Sequence, residues 1–578
     1  MDILLVASAF NSLCQRLYAE LADAGHRVDA VLARDGDGAL RAAVAEAGPD
    51  LIVAPMLRTA LPEEVWSRHT CLVVHPGPPG DRGPSSLDWA IDSGARRWAV
   101  TVLQAEAGMD AGDVWASVPF DVPPVGKSDL YRGELADAAV AAVLLAVERF
   151  ASGDHKPLSQ KDPSVDVVWR DAFRQDRRRI DWAADPTETV LRKLRGGDSQ
   201  PGVLDGLLGA EFFLHGGHPE DELRGAPGAL LGTRAGAVCR ATADGAVWIP
   251  ELRPRRASGV PAPWRRPAAS VLADAARVGA VPADRVAALP EVPVPWELPE
   301  DRRTWTDVRY REAGAVGFLH FGFPGGAMST GQCRRLLAAY RHALARPTSV
   351  LVLGGGRDFF SNGIHLGVIE AAAVPAEESW ANIHAMNDVV EAVLRTTDRL
   401  VVAALGGNAA AGGAMLALAA DEVWCRSGVV LNPHYRRMGL YGSEYWTYTL
   451  PRRVGTGTAE RLTSEALPVG TAQAARLGLV DRVLRVPPDG FAGEVGRLAC
   501  ALADGPGLRA RIAVKEAARR RDEAVRPLSD HRRAELARMR KVFFDRGAPY
   551  HALRGAFVRK NPQGSSVRPL APVSWDGR

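Results

Sequence analysis

The apolar residues of the first hundred positions gather in short unbroken runs. Residues 3–7, 27–33, 50–54 and 71–74 each suit one strand, and 99–103 forms a further run. Between them, residues 12–24 and 39–47 repeat their apolar positions at helical spacing, the first stretch stopping at Gly25. Unbroken apolar runs belong to strands covered on both faces, and their alternation with helices predicts a doubly wound α/β sheet. The first strand leads into Ser-Ala-Phe-Asn-Ser. A glycine-rich turn would let a pyrophosphate approach the next helix, so its absence argues against an ordinary dinucleotide site.

The pattern changes near residue 165. Short segments at 210–214, 236–241 and 246–249 sit among glycine-rich turns, as in a small β-barrel. Residues 258–299 concentrate Pro261, Pro263, Pro267, Pro282, Pro290, Pro293, Pro295 and Pro299, which predicts a linker or wrapping segment. A second α/β unit starts near Thr304, with strand candidates at 349–353 and 400–405, each followed by a glycine-rich loop. From about Pro506 the chain turns helical and arginine-rich, with Ser529 or Asp530 as a candidate helix cap. The expected division is 1–165, a barrel at 166–257, a linker at 258–303, a second α/β domain at 304–505 and a helical tail at 506–578.

Composition adds limits. A chain of 578 residues implies several domains, and 47% hydrophobic with 24% charged residues is ordinary globular content. A net charge of +3 gives no global reason to bind nucleic acid or membrane. The 64 arginines against 7 lysines are scattered, as a GC-rich genome would leave them. Six cysteines, none paired at metal-knuckle spacing, predict no metal site and suit a reducing cytosol. The first residues lack a signal peptide's basic start and cleavage site, so a cytoplasmic location is expected. Residues 400–420 form 21 uncharged positions, enough to cross a bilayer. The paired glycines at 406/407 and 412/413, with Asn408, instead favour a turn between a buried strand and a buried helix.

Two segments carry candidate chemistry in the first unit. His75-Pro-Gly-Pro-Pro-Gly-Asp-Arg-Gly-Pro-Ser-Ser-Leu-Asp-Trp-Ala-Ile follows a strand, and Gly108-Met-Asp-Ala-Gly-Asp follows another. A histidine and an aspartate at neighbouring strand ends make a proton-transfer pair, the carboxylate orienting the imidazole. Together these segments resemble the folate-dependent formyltransferases. His75 matches the catalytic histidine, Asp110 the catalytic aspartate and Trp89-Ala-Ile a family helix. Ile180-Asp-Trp and Gly225-Ala-Pro-Gly are similar to the barrel of methionyl-tRNA formyltransferase. The family's asparagine, which binds the formyl oxygen, is replaced by Val73. Such a donor is typically worth about 3 kcal/mol. Gln104, Ser85 and Ser86 are candidate substitutes; alternatively the acceptor is a better nucleophile than an amine, such as a thiol.

The uncharged run resembles the crotonase, or enoyl-CoA hydratase/isomerase, superfamily, as does Phe359-Phe-Ser-Asn-Gly-Ile-His-Leu. The resemblance implies an oxyanion hole for an acyl-CoA thioester from the N–H groups of Ile364 and Gly412, with Gly413 beside it. The two hydratase glutamates fall at Met415 and His434, so ordinary hydration is not expected. The stretch from Asn432 to Tyr445 offers His434, Tyr435, Tyr441 and Glu444 instead. Packing, with a capped helix starting at Ser443, is the competing reading of these residues.

The whole arrangement resembles the HypX/HoxX hydrogenase maturation factors, including Gly439-Leu-Tyr-Gly-Ser-Glu-Tyr-Trp. This resemblance implies formyl transfer from N10-formyltetrahydrofolate to coenzyme A, then decarbonylation of formyl-CoA. The carbon monoxide would serve a nickel–iron hydrogenase. Glu444 would act as base, with Tyr435 or His434 relaying the proton. Gln104, Ser85, Ser86, Gly413 and Tyr441 are candidate ligand contacts; Arg253-Pro-Arg-Arg and Arg519-Arg-Arg are candidates for the CoA phosphates. A hydrogenase large subunit or other maturation protein is the candidate protein partner. A different amine or sugar formyltransferase fused to an acyl-CoA enzyme, and a non-catalytic maturation scaffold, remain open alternatives.

Overall fold

The computed structural model describes residues 1–33, 36–256 and 258–561. The first unit is built on a six-stranded sheet in the order Arg27–Leu32, Asp2–Ala7, Leu51–Met56, Cys71–His75, Arg97–Gln104 and Val114–Asp121. The first four strands are parallel, as their apolar runs predict. The last two join antiparallel, so Cys71–His75 ends where Arg97–Gln104 begins to return. Helix Ser12–Asp23 is capped by Asn11, whose side chain accepts from the Cys14 N–H at 3.0 Å.

Two four-stranded antiparallel sheets form the barrel, which includes Ala210–His215, Ala237–Ala241 and Ala246–Ile249. The proline-rich stretch departs from expectation. Arg266–Pro267 pairs with Glu251 and Leu252, and helix Ala268–Arg277 buries Val271 and Leu272 in the barrel core, where Val281 joins them. These residues complete the barrel instead of linking it. Proline density marked an irregular path, but the apolar residues between the prolines decided where it packs.

The second α/β unit has a sheet ordered Val308–Ala313, Val316–Phe321, Val350–Gly354, Leu400–Leu405, Glu422–Arg426 and Arg482–Leu484, parallel after its first hairpin. A smaller sheet of Phe359–Ser361, Asn408–Ala410, Val430–Asn432 and Val469–Gly470 lies beside it. The uncharged run therefore becomes strand Leu400–Leu405, strand Asn408–Ala410 and helix Gly412–Leu418. No helix of the described residues is long and apolar enough to cross a membrane.

The C-terminal stretch is helical, as expected, and it packs back onto the second unit. Leu528, Leu536, Met539 and Phe543 of helix Leu528–Phe544, with Tyr550, belong to the same core as the second sheet. Each fully buried apolar side chain of this size contributes about 1.5–3 kcal/mol. Pro527 precedes this helix, so Ser529 and Asp530 lie inside its first turn instead of capping it. Residues 562–578 of the expected tail, and residue 257 at the expected barrel boundary, lie outside the described residues.

The two α/β units touch directly. Asp137 of the first pairs with Arg426 of the second at 2.9 Å and with Arg16 of its own unit. Glu134 pairs with Arg357 at 2.6 Å, and the Asn432 amide reaches Gln15 at 3.4 Å.

Candidate active sites

The first site forms where Cys71–His75 ends. His75 is buried, and its ring lies between two carboxylates. Its Nδ1 is 3.5 Å from Asp110 Oδ1, and its Nε2 is 3.1 Å from Asp81 Oδ2. Burial pulls the imidazole pKa down, but Asp110 and Asp81 outweigh it and raise it to about 9. Burial acts to raise the Asp81 carboxyl; its contacts with His75, Ser86 and Arg170 prevail and hold it below its ordinary value.

The supporting loops explain this placement. Asp110 sits at positive φ and accepts from the Gly83 N–H at 3.1 Å. Gln160 joins the two loops: its Oε1 accepts from Gly80 N–H, and its Nε2 donates to the Asp110 and Gly112 carbonyls at 2.9 and 2.7 Å. Gly77 is required because a Cβ there would lie 2.4 Å from both His75 Nε2 and Asp81 Oδ2. Arg170 donates from Nε to the other Asp81 oxygen. Its neighbours Val168–Trp169 run as a strand beside Asp81–Arg82.

Val73 lies in register with Leu103 and supplies no donor. Ser85 Oγ accepts from the Phe173 N–H, and Ser86 Oγ donates to the Pro76 carbonyl while accepting from Trp98. Both hydroxyls thus hold the framework. Gln104 Oε1 accepts from Trp115 Nε1 at 3.0 Å. Sequence reading singled out His75 and Asp110 but missed Asp81, Gln160 and Arg170. Asp81 stood inside the quoted His75 loop, whereas nothing local marked Gln160 or Arg170.

The second site gathers around the N-terminus of Gly412–Leu418. Ala411 before it is at positive φ. As the first helical residue, Gly412 has an N–H without an intrahelical acceptor. A Cβ on Gly363 would meet the Gly412 nitrogen at 3.0 Å, so the Gly363–Ile364 loop abuts it. Gly413 packs against Ser361, where a Cβ would stand 2.1 Å from the carbonyl oxygen.

Glu444 closes this site. Its Oε1 would be 2.5 Å from a Cβ built on Gly412, and its Oε2 accepts from the Tyr435 hydroxyl at 2.6 Å and the Ser443 N–H at 3.1 Å. Burial raises its pKa; the Tyr435 hydrogen bond opposes this and Glu535 adds to it, leaving it at about 7. Tyr435 is pushed well above its ordinary value by burial and by Glu444. Glu444 and Tyr445 both have φ of 59°. Asn387 holds the turn through a 2.7 Å bond from the Glu444 N–H and contacts with Ser443. Glu535, from the terminal helix, accepts from Tyr445 N–H and Thr447 N–H, each at 2.9 Å. The helix starts at Trp446, not Ser443, because a carboxylate from elsewhere in the chain supplies its cap.

His434 and Tyr441 are placed differently. His434 Nδ1 lies 2.8 Å from the Asn432 carbonyl, and burial lowers its pKa. Tyr441 stacks on Trp446 at 5.3 Å, with the Arg538 guanidinium 4.4 Å from its ring. Of the two proposed relays, Tyr435 is the one touching Glu444.

A cationic group lies where the units meet. Lys560 is exposed, and partial desolvation with the charges of Arg265, Arg253, Arg58 and Arg132 pulls its pKa down to about 8, although Arg132 is itself paired with Asp358 and Arg265 with Glu251. Arg253 also stacks on Phe213 at 4.0 Å. Arg519 and Arg520 pair with Glu523 and Glu516 on their own helix, Leu508–Val525.

Comparison with known proteins places both halves. Residues 327–546 match the enoyl-CoA hydratase/isomerase family, and residues 173–264 match the formyl transferase C-terminal domain. A hydrogenase maturation factor HoxX from Bradyrhizobium diazoefficiens is 46% identical over 574 residues, 99% of this chain and 97% of that protein. The chain belongs to the HypX/HoxX hydrogenase maturation factors. A crystal structure of HypX from Aquifex aeolicus in complex with tetrahydrofolic acid superposes with a TM-score of 0.91 and 42% identity, covering 98% of this chain and 97% of that one. Methionyl-tRNA formyltransferase from Variovorax paradoxus is 28% identical over 234 residues, 39% of this chain and 71% of its own. The HypX/HoxX assignment thus rests on nearly the full length and unites the formyltransferase and crotonase-like parts in one enzyme.

Proposed function

We propose that this HypX/HoxX protein makes carbon monoxide in two steps in the cytoplasm. The first site moves the formyl group of N10-formyltetrahydrofolate to the thiol of coenzyme A. The second splits formyl-CoA into carbon monoxide and CoA, and the carbon monoxide goes to a nickel–iron hydrogenase. The observation carrying this reading is Glu444 over Gly412: a carboxyl stands where a thioester held by the Ile364 and Gly412 N–H groups would present its formyl hydrogen.

The chemistry follows from the residues. Two backbone donors hold the carbonyl oxygen. With its pKa near neutrality, Glu444 is suited both to take a proton and to return it. It removes the formyl proton, the C–H electrons form carbon monoxide as the C–S bond breaks, and the proton passes through Tyr435 to the sulfur. Met415 stands in place of a hydratase glutamate, so that position supplies no carboxylate to activate water. At the first site a thiol acceptor lessens the need for the donor missing at Val73. The tetrahydrofolic acid in the Aquifex HypX crystal supports folate binding here. Lys560, Arg253 and Arg58, left after Arg132 pairs with Asp358 and Arg265 with Glu251, support an anionic ligand such as CoA.

Purified protein with N10-formyltetrahydrofolate and CoA should convert haemoglobin to its carbon monoxide form. His75→Ala should stop this with the folate donor but not with added formyl-CoA. Formyl transfer to an amine with no effect of CoA, or no binding of either compound by calorimetry, would overturn the proposal.

A further inference from the structure

The His75–Asp110 pairing leaves Asp81 without a role, although it makes the closer contact with the ring. The two carboxylates differ in kind. Asp81 is 3.1 Å from Nε2, its side chain is 2% exposed, and Arg170 fixes its other oxygen. Asp110 is 3.5 Å from Nδ1, too long for a good hydrogen bond, and is 15% exposed. A carboxylate that binds one imidazole nitrogen from the buried side leaves the opposite nitrogen to meet a reactant.

We propose that Asp81 is the positioning residue of His75, anchored by Arg170, and that it turns the Nδ1 edge toward the formyl donor beside Asp110. The inference rests on the formyl-transfer reading and divides its roles. Asp110 stands at the reacting face; Asp81 acts only through the ring. The cationic ring also offsets the missing donor at Val73, because its Nδ1–H faces the side where charge develops. The step balances. The sulfur–carbon bond forms as the carbon–N10 bond breaks, and the Nδ1 proton goes to N10. The proton given up by the thiol then returns to the ring.

Gly77 supports the arrangement, since any side chain there would enter the space between His75 and Asp81. The charged groups bearing on the ring are Asp81 and Asp110, with Arg170 behind Asp81.

The test uses the full-length protein with Asp81→Asn and Asp110→Asn. His75 is titrated by NMR, and formyl transfer is followed against pH. In Asp81→Asn the imidazole should titrate about one to two pH units lower than in the wild type. The basic limb of kcat should move down with it, with little change in KM for the formyl donor. Asp110→Asn should lose transfer at every pH. Wild-type titration and an unmoved limb in Asp81→Asn would overturn the proposal, as would a loss at every pH matching Asp110→Asn. If the wild type transfers no formyl group to CoA, the broader reading fails, while the NMR titration still reports on the Asp81 contact.

Discussion

At the scale of single residues, both sites depend on buried carboxylates whose surroundings oppose one another. At His75 two carboxylates stabilise a cation; at Glu444 burial resists an anion. Glu444→Gln keeps an oxygen where Tyr435 and Ser443 donate and places the amide over Gly412. This variant should abolish carbon monoxide release from formyl-CoA while formyl-CoA formation stays measurable, as separate assays of the two steps will show. It should also be more thermostable than the wild type at pH 7 and above. Glu444 has a folded pKa of about 7 against an ordinary 4.5, so the folded state binds more protons between those values. Its contribution therefore falls as pH rises through that window, and the amide removes the fall. Melting curves at pH 4.5 and 8 measure the difference. His75 acts in the same direction over a higher range: its stabilisation is complete below about 6.5 and is lost as pH rises through about 9.

At the scale of elements, the glycine-started helix Gly412–Leu418 shows what a motif reading captures. The paired glycines and the uncharged run were enough to predict a strand, a turn and a buried helix in place of a membrane span. They also separate two substitutions. Gly412→Ala puts a methyl group against Oε1, Cδ and Cγ of Glu444, a buried side chain that Tyr435 and Ser443 hold by its other oxygen. Alanine keeps the backbone N–H, so the loss of formyl-CoA cleavage should come from the Glu444 carboxyl being pushed out of place, at a smaller cost in melting temperature than a clash with backbone would bring. Gly413→Ala meets the Ser361 backbone carbonyl, which cannot yield locally, and should lower the melting temperature by several degrees. Calorimetry with the cleavage assay distinguishes the two. The start of helix Trp446–Val454 was misplaced for a comparable reason. Its cap is Glu535, ninety residues along the chain from Tyr445, and no local pattern reports such a partner.

At the scale of the whole molecule, strand and helix order was legible because it depends on local apolar spacing. Residues that the fold brings together were legible where they fell in contiguous motifs, as with His75 and Asp110, and with Gly412 beside the Gly363–Ile364 loop and Glu444. Gln160, Arg170, Asn387 and Glu535 reach the sites from distant segments, and each came to light only in the folded chain. The same limit applies to the barrel's last segment and the terminal helices, whose apolar residues complete cores begun elsewhere. Asp137 joins the two α/β units between Arg16 and Arg426, both with buried side chains. Asp137→Ala should therefore lower the melting temperature by leaving two guanidiniums without their shared carboxylate.

In the proposed route one carbon atom passes from folate to CoA and leaves as carbon monoxide. The most direct measurement supplies N10-formyltetrahydrofolate labelled with 13C in the formyl group and follows the infrared band of carbon monoxide on haemoglobin. A 13CO band should appear that requires both the labelled folate and CoA, is absent with His75→Ala and with Glu444→Gln, and returns in His75→Ala when 13C-labelled formyl-CoA is added. A 13CO band without CoA, an undiminished band from Glu444→Gln, or no carbon monoxide from wild-type protein given formyl-CoA would contradict it.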